Sequence, residues 1–161
     1  MLAWLEEGAF ESYSKEEPIL GAYRLFQSGQ ATEVLTAGDV MSTSLVTASP
    51  QTSVVEAHRI LQKHEIQHLP VVDKGVLVGL VSDRDVFSAE QREEATVDAI
   101  MAQKLLTARA TSALWAVAEI MVSHHINCVL VVDSERRLDG LLTSLDILSC
   151  MTHQAPVEVW L

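Results

Sequence analysis

The chain has 161 residues, 48% of them hydrophobic, and a formal net charge of −11. This balance fits a compact soluble protein and argues against nucleic-acid or anionic-membrane binding, which both depend on clustered Lys and Arg. No apolar run approaches the ~18 residues of a transmembrane helix.

The acidic start Met1-Leu2-Ala3-Trp4-Leu5-Glu6-Glu7 lacks the basic region of a secretory signal and the Arg-rich character of a transit peptide. A cytoplasmic location is expected. Residues 1–38 form an arm that carries Trp4, Phe10, Tyr13, Tyr23 and Phe26. Within it, Glu16 to Ser28 reads as a helix, with Pro18 in the first turn, Ile19, Leu20, Tyr23, Leu25 and Phe26 as apolar positions, and Gly29 as the stop. So many aromatics imply packing on a helix face, of the same chain or of a second one.

The first unit covers residues 39–92. Leu45–Thr47 reads as a short strand, followed by a helix opened by a Ser53/Glu56 capping box with Val54, Ala57, Ile60 and Leu61 on one face. Leu69–Val72 and Val76–Val81, separated by Asp73-Lys74-Gly75, read as a hairpin buried on both sides. A helix runs from Asp83 to about Glu90, and Gln91–Ala95 is a polar linker.

The second unit covers residues 97–152. It reads as strand Leu105–Thr107, helix Ser112–His125, strands Cys128–Val132 and Leu138–Thr143, and helix Ser144–Met151. Leu114, Val117, Ile120 and Met121 form the stripe of the first helix, and bulky Trp115 is expected in an interface. In the tail, residues 153–161, the alternation from Pro156 to Leu161 reads equally as an edge strand or a frayed end.

The order β-α-β-β-α is thus used twice, and the identities agree. A shift of sixty residues places Val40–Asp73 on Ile100–Asp133, matching Met41 with Met101, Thr47 with Thr107, Ile66 with Ile126, and Val71-Val72-Asp73 with Val131-Val132-Asp133. After a turn of different length, Gly79-Leu80-Val81-Ser82-Asp83-Arg84-Asp85 returns as Gly140-Leu141-Leu142-Thr143-Ser144-Leu145-Asp146. A repeat of this length dictates two like folding units. The expected fold is α/β (α+β), two repeats related by a pseudo-twofold axis, plus a partly helical N-terminal arm.

In each copy a hydroxyl residue stands three positions before an aspartate where a strand gives way to a helix. Such a pair satisfies free backbone N–H groups and the helix dipole, and a ligand phosphate uses the same groups. Capping boxes prefer Glu or Gln at the third position, so Asp in both copies points to a carboxylate turned outward toward a diol. Plain capping is the alternative. His64 and His124 share one position of the repeat near a helix end, which the dipole explains, and no Cys, Asp or Glu joins them at zinc-site spacing. Cys128 and Cys150 read as reduced, small apolar residues. With no nucleophile–base pair and no P-loop, an enzyme is not expected.

The opening Asp39-Val40-Met41, the stretch His68-Leu69-Pro70-Val71-Val72-Asp73 and the Gly79–Asp85 motif resemble, in order and spacing, the CBS (cystathionine β-synthase) domain. Residues 39–152 resemble a tandem pair. The resemblance implies a regulatory module that needs no cofactor, binds an adenine nucleotide (AMP, ADP or ATP) or an S-adenosyl compound, forms a homodimer and signals to an unidentified protein. It implies one pocket from Ser82, Arg84 and Asp85 with Lys104, Leu106, Ile126, Asn127 and Cys128. A second would combine Thr143, Ser144 and Asp146 with Ser44, Val46, Ile66, Gln67 and His68. In the family the aspartate takes the ribose hydroxyls, the hydroxyl residues approach the phosphate, and early strands of the opposite repeat form the adenine slot.

Arg84 and Lys104 favour phosphate in the first pocket. The second has Leu145 and Ser44 in their places, and His68 where Cys128 leaves room. The apolar faces of helices 83–90 and 144–151, with Val86, Phe87, Ile147 and Leu148, are expected to pair two chains. A ligand-free assembly module is the alternative function.

Overall fold

The computed structural model describes residues 35–89 and 94–152. The expected arm helix, most of the linker and the alternating tail lie outside the described residues. Helix α1 (Ala37–Val40) and helix α2 (Val54–His64) come first, followed by strands β1 (His68–Asp73) and β2 (Val76–Ser82) and helix α3 (Asp83–Ala89). After a short 3-10 turn at Val97–Ala99 come strand β3 (Thr107–Ala108), helix α4 (Leu114–Ser123), strands β4 (Cys128–Val132) and β5 (Leu138–Thr143), and helix α5 (Ser144–Thr152).

Helix α2 starts where Ser53 Oγ accepts the Glu56 N–H at 3.1 Å. It buries Val54, Ala57 and Leu61, with Ile60 packed against the same core. The helix stops at Glu65, whose φ of 53° is left-handed, and the Ile66 N–H turns back to the Leu61 carbonyl. Helix α4 buries Leu114, Val117 and Met121 and stops the same way, with His125 at φ 53°. It is shorter than the expected Ser112–His125, because Ser112 Oγ accepts the Arg109 N–H and so closes a turn ahead of the helix.

The β1–β2 hairpin turns through Lys74 and Gly75, both at positive φ (49° and 84°), as a two-residue hairpin turn requires. β3 lies parallel to β4, and β4 pairs antiparallel with β5. Both hairpins carry a bulge at the same place: Val71 faces Gly79 but Val72 faces Leu77, and Val131 faces Gly140 but Val132 faces Leu138. β4 is buried throughout. β2 instead alternates buried and half-buried residues, so the expected burial of Val76–Val81 on both sides holds for one face only.

The expected strand Leu45–Thr47 is reduced to a bridge between Ala48 and Val71, and its counterpart falls at Thr107–Ala108 rather than Leu105–Thr107. Both segments must first cross between the repeats. Ser42 exchanges two backbone hydrogen bonds with Leu141 on β5 (2.9 and 3.0 Å) before the chain reaches β1 at Ala48. Ala102 does the same with Leu80 on β2 (2.9 and 3.0 Å) before Thr107 reaches β4. A backbone in transit cannot pair with either sheet.

Each repeat has its own core, built around Val54, Leu61, Leu69, Val71 and Val86 in the first and Val117, Met121, Val129, Val131 and Leu142 in the second. A third cluster of Leu77, Leu130 and Val132, with Leu80, Leu105, Leu138 and Leu141 against it, draws on both repeats and joins them. The result is an α+β fold of two equivalent units. Val86 is 1% exposed and Ile147 packs against the second core, so neither belongs to an outward face as expected. On these two helices the outward apolar residues are Phe87 (73% exposed), Leu145 (70%) and Leu148 (55%).

Candidate functional site

β2 ends at Ser82, whose backbone N–H and hydroxyl both donate to Asp85 Oδ2, at 2.8 and 2.6 Å. The Asp85 N–H returns to Ser82 Oγ at 3.3 Å. Thr143 and Asp146 repeat this at 2.7, 2.7 and 3.3 Å. Each aspartate therefore closes its own capping box, and a third box of the same kind joins Thr36 to Asp39 at the start of α1. The short side chain does not turn away from the cap. Capping occupies only Oδ2, however, and Oδ1 of Asp85 and of Asp146 takes no hydrogen bond among the described residues. One carboxylate can cap and still accept from a ligand hydroxyl.

The crossings bring the opposite repeat to these helix starts. The segment from Ser42 to Ala48, with exposed Ser44 and half-buried Val46, runs from the strand that ends in Thr143 to the strand that begins at His68. Ala102 to Thr107, with exposed Lys104 and half-buried Leu106, runs from the strand that ends in Ser82 to the one that begins at Cys128. At each crossing a methionine lies on a glycine: Met101 on Gly79 and Met41 on Gly140, where a Cβ would collide with the sulfur. These four residues position both crossings, and the sequence reading gave them no role. The signal was present, since both pairs recur at the repeat spacing.

Most of the remaining residues contact their own repeat. The Gln67 carbonyl accepts the Asp83 N–H, and the Asn127 carbonyl accepts the Ser144 N–H, each at 3.0 Å. Ile66 and Ile126 pack against the first and second cores respectively, and Cys128 is buried. A bond of 3.1 Å between His68 Nε2 and Asn127 Oδ1 reaches across the repeats. It links a residue expected in one pocket to a residue expected in the other.

Burial lowers the pKa of His68 below the usual imidazole value, against the opposing effects of the Asn127 bond and the charges of Asp83 and Asp85. The ring is neutral at pH 7. Burial, aided by the charge of Asp146, pushes the Cys128 thiol up to about 12, so it stays protonated and unreactive. Arg84 and Lys104 are exposed and make no ion pair among the described residues.

The His68 shift has a sign that can be tested. Below about pH 6.5 the unfolded chain takes up a proton at His68 before the folded one does, so stability is lost as pH falls through that range. Urea unfolding at pH 7.5 and 5.5 should show a smaller loss in His68→Gln than in the wild type. Equal losses would remove the half-buried neutral imidazole as a cause.

Two equivalent units, β-α-β-β-α in the second and with the opening strand reduced to a bridge in the first, exchange crossing segments and define a tandem-repeat α+β module with a helix start at each junction. The chain belongs to the CBS domain family, whose profile matches residues 37–92 and 97–153. L-aspartate semialdehyde sulfurtransferase of Methanocaldococcus jannaschii is 39% identical over 110 residues, which make up 68% of this chain but 22% of that protein. The chain thus spans about a fifth of that relative's length. The crystal structure of the CBS domain pair of protein MJ0100, in complex with 5′-methylthioadenosine and S-adenosyl-L-methionine, is 35% identical with a TM-score of 0.71, covering 76% of this chain and all (100%) of that one. CBSX2 in complex with AMP is 27% identical with a TM-score of 0.69, over 73% of this chain and 96% of that one. Among the described residues, no helix is long and apolar enough to cross a membrane, and no cluster of His, Cys, Asp and Glu is arranged to hold a metal.

Proposed function

We propose that this protein is a regulatory CBS pair that binds an adenosyl ligand at the junction of its repeats and passes the bound state to a partner protein, without catalysis of its own. The observation that carries the reading is the doubled site. Each capping aspartate keeps one oxygen free among the described residues, and a crossing segment from the opposite repeat is hydrogen-bonded to the strand that leads into its helix. The free oxygen suits a ribose diol, and the half-buried Val46 and Leu106 suit a flat base. Similarity to pairs that hold AMP, 5′-methylthioadenosine or S-adenosyl-L-methionine supports the adenosyl class.

In this reading Asp85 works with Ser82, Arg84, Lys104, Leu106, Ile126, Asn127 and Cys128, and Asp146 with the second set. The exposed charges of Arg84 and Lys104 make the Asp85 site the better one for phosphate. A thermal-shift panel of AMP, ADP, ATP, S-adenosylmethionine and 5′-methylthioadenosine tests the class. No shift with any of them, each at millimolar concentration, would sink the proposal.

The second reading, assembly without ligand, draws on Phe87, Leu145 and Leu148, which are 73%, 70% and 55% exposed on α3 and α5. Apolar side chains of this size are usually covered by a partner when they cluster. A homodimer through these helices is compatible with both readings. Light scattering should return twice the chain mass at micromolar concentration, and Phe87→Glu with Leu148→Glu should return one chain mass. A monomeric wild type would contradict the dimer.

A further inference from the structure

Helices α2 and α4 hold equivalent places in the two repeats, yet their outer faces differ. A shift of sixty residues superposes Val55, His58, Arg59 and Gln62 of α2 on Trp115, Ala118, Glu119 and Val122 of α4. In α2 that face ends in water with a guanidinium and an amide. In α4 it is apolar: Trp115 is 36% exposed, Val122 is 74% exposed two turns further on, and Glu119 is the helix's one charge. A helix that is apolar all round is a covered helix. The symmetry of the fold provides an internal control, because the same position in the same architecture needs no cover in repeat 1.

The path of the chain names what covers it. The Leu35 carbonyl accepts the Leu114 N–H at 2.8 Å, and Thr36 bridges to Ala113. Residues 1–34 therefore join the fold at the first turn of α4, beside Trp115. In repeat 1 the equivalent junction is the 2.9 Å bond from the Val54 N–H to the Ala95 carbonyl. There the sequence that leads in is the polar Gln91-Arg92-Glu93-Glu94, and the helix face is polar. At α4 the chain that leads in, residues 1–34, carries Trp4, Phe10, Tyr13, Tyr23 and Phe26, and the helix face there is apolar. Ile19, Leu20, Tyr23 and Phe26 recur at helical spacing. A helix over residues 16–28 spans about 20 Å at ~1.5 Å per residue, enough to cover the ~15 Å of α4, and residues 29–34 suffice for the turn between them.

We propose that residues 16–28 dock antiparallel on the outer face of α4 in the same chain, closing the Trp115–Val122 stripe. The docked arm is an extra helix on one repeat only, and it breaks the pseudo-symmetry of the pair.

Hydrogen exchange on the full-length protein tests this. Amides of residues 16–28 should exchange at least about tenfold slower than in an unfolded peptide, independently of protein concentration. Trp115→Glu with Val122→Glu should abolish that protection, and Val55→Glu at the equivalent α2 position should leave it intact. Three results would each overturn the proposal: no protection in the wild type, protection that survives the α4 double variant, or protection that grows with concentration, which would mean that a second copy supplies the cover. A reciprocal measurement guards against misfolding of the α4 variant. With Trp4→Phe and Trp160→Phe leaving Trp115 as the sole tryptophan, Ile19→Asp with Phe26→Asp should raise acrylamide quenching of its fluorescence. Unchanged quenching would equally overturn the docking.

Discussion

AMP at ~100 times its dissociation constant is expected to stabilise the protein by about 2.7 kcal/mol, provided that it binds only the folded state. That corresponds to a rise in melting temperature of roughly 5–11 °C for a chain of this size. Asp85→Ala should lose most of this shift. It should also lower stability without ligand by ~1 kcal/mol, because Asp85 Oδ2 receives both Ser82 donors. The ligand-free loss alone therefore does not discriminate. Asp39→Ala provides the control: it breaks the same kind of box at Thr36, outside either proposed pocket, so it should cost about the same and leave the nucleotide shift whole. An Asp85 variant that keeps the wild-type shift would reduce that aspartate to a cap.

Isothermal titration then ranks the two sites. The stronger binding event should disappear with Asp85→Ala and survive Asp146→Ala, since Arg84 and Lys104 have Leu145 and Ser44 as counterparts and His68 occupies the position of Cys128. Loss with Asp146→Ala alone would reverse the ranking. Equal losses would mean that neither the basic pair nor the imidazole distinguishes the sites.

Gly79→Ala is expected to destabilise the fold by ~1–3 kcal/mol even though the substitution suits a strand, because the added methyl meets Met101 from the opposite repeat. The collision involves Cγ as well as the sulfur, so a rotation of the thioether end alone does not relieve it. Met101→Ala should relieve it, so that the double variant is more stable than the sum of the two single losses by about 1 kcal/mol or more. Gly140 and Met41 should behave alike. Strict additivity in both cycles would show that the glycines matter for a reason other than this contact.

Much of the secondary structure was legible because both repeats obey local rules. Cys128–Val132 and Leu138–Thr143 lie where the apolar runs place them, and Ser53 caps the helix it was expected to cap. Two of the errors share one cause. Leu45–Thr47 has the composition of a strand but lies on a crossing between sheets, and Val86 belongs to an apolar helix face that is turned inward. Neither outcome follows from residues near in sequence.

The sequence by itself determined that the fold is double, since two stretches related by sixty residues must adopt one structure, and it determined where α2, α3 and α5 start, since a hydroxyl and a carboxylate three residues apart satisfy the same N–H groups wherever they occur. Only the tertiary structure decided that the repeats exchange their opening segments, with Met41 on Gly140 and Met101 on Gly79, and that one oxygen of each aspartate is spent on the cap while the other takes no hydrogen bond among the described residues. The physical reason is range. Capping and hydrophobic periodicity act within one or two turns of chain, whereas the contacts that assemble the site join groups far apart in sequence, such as His68 and Asn127 or Ser42 and Leu141, which meet only when both repeats have folded and packed together.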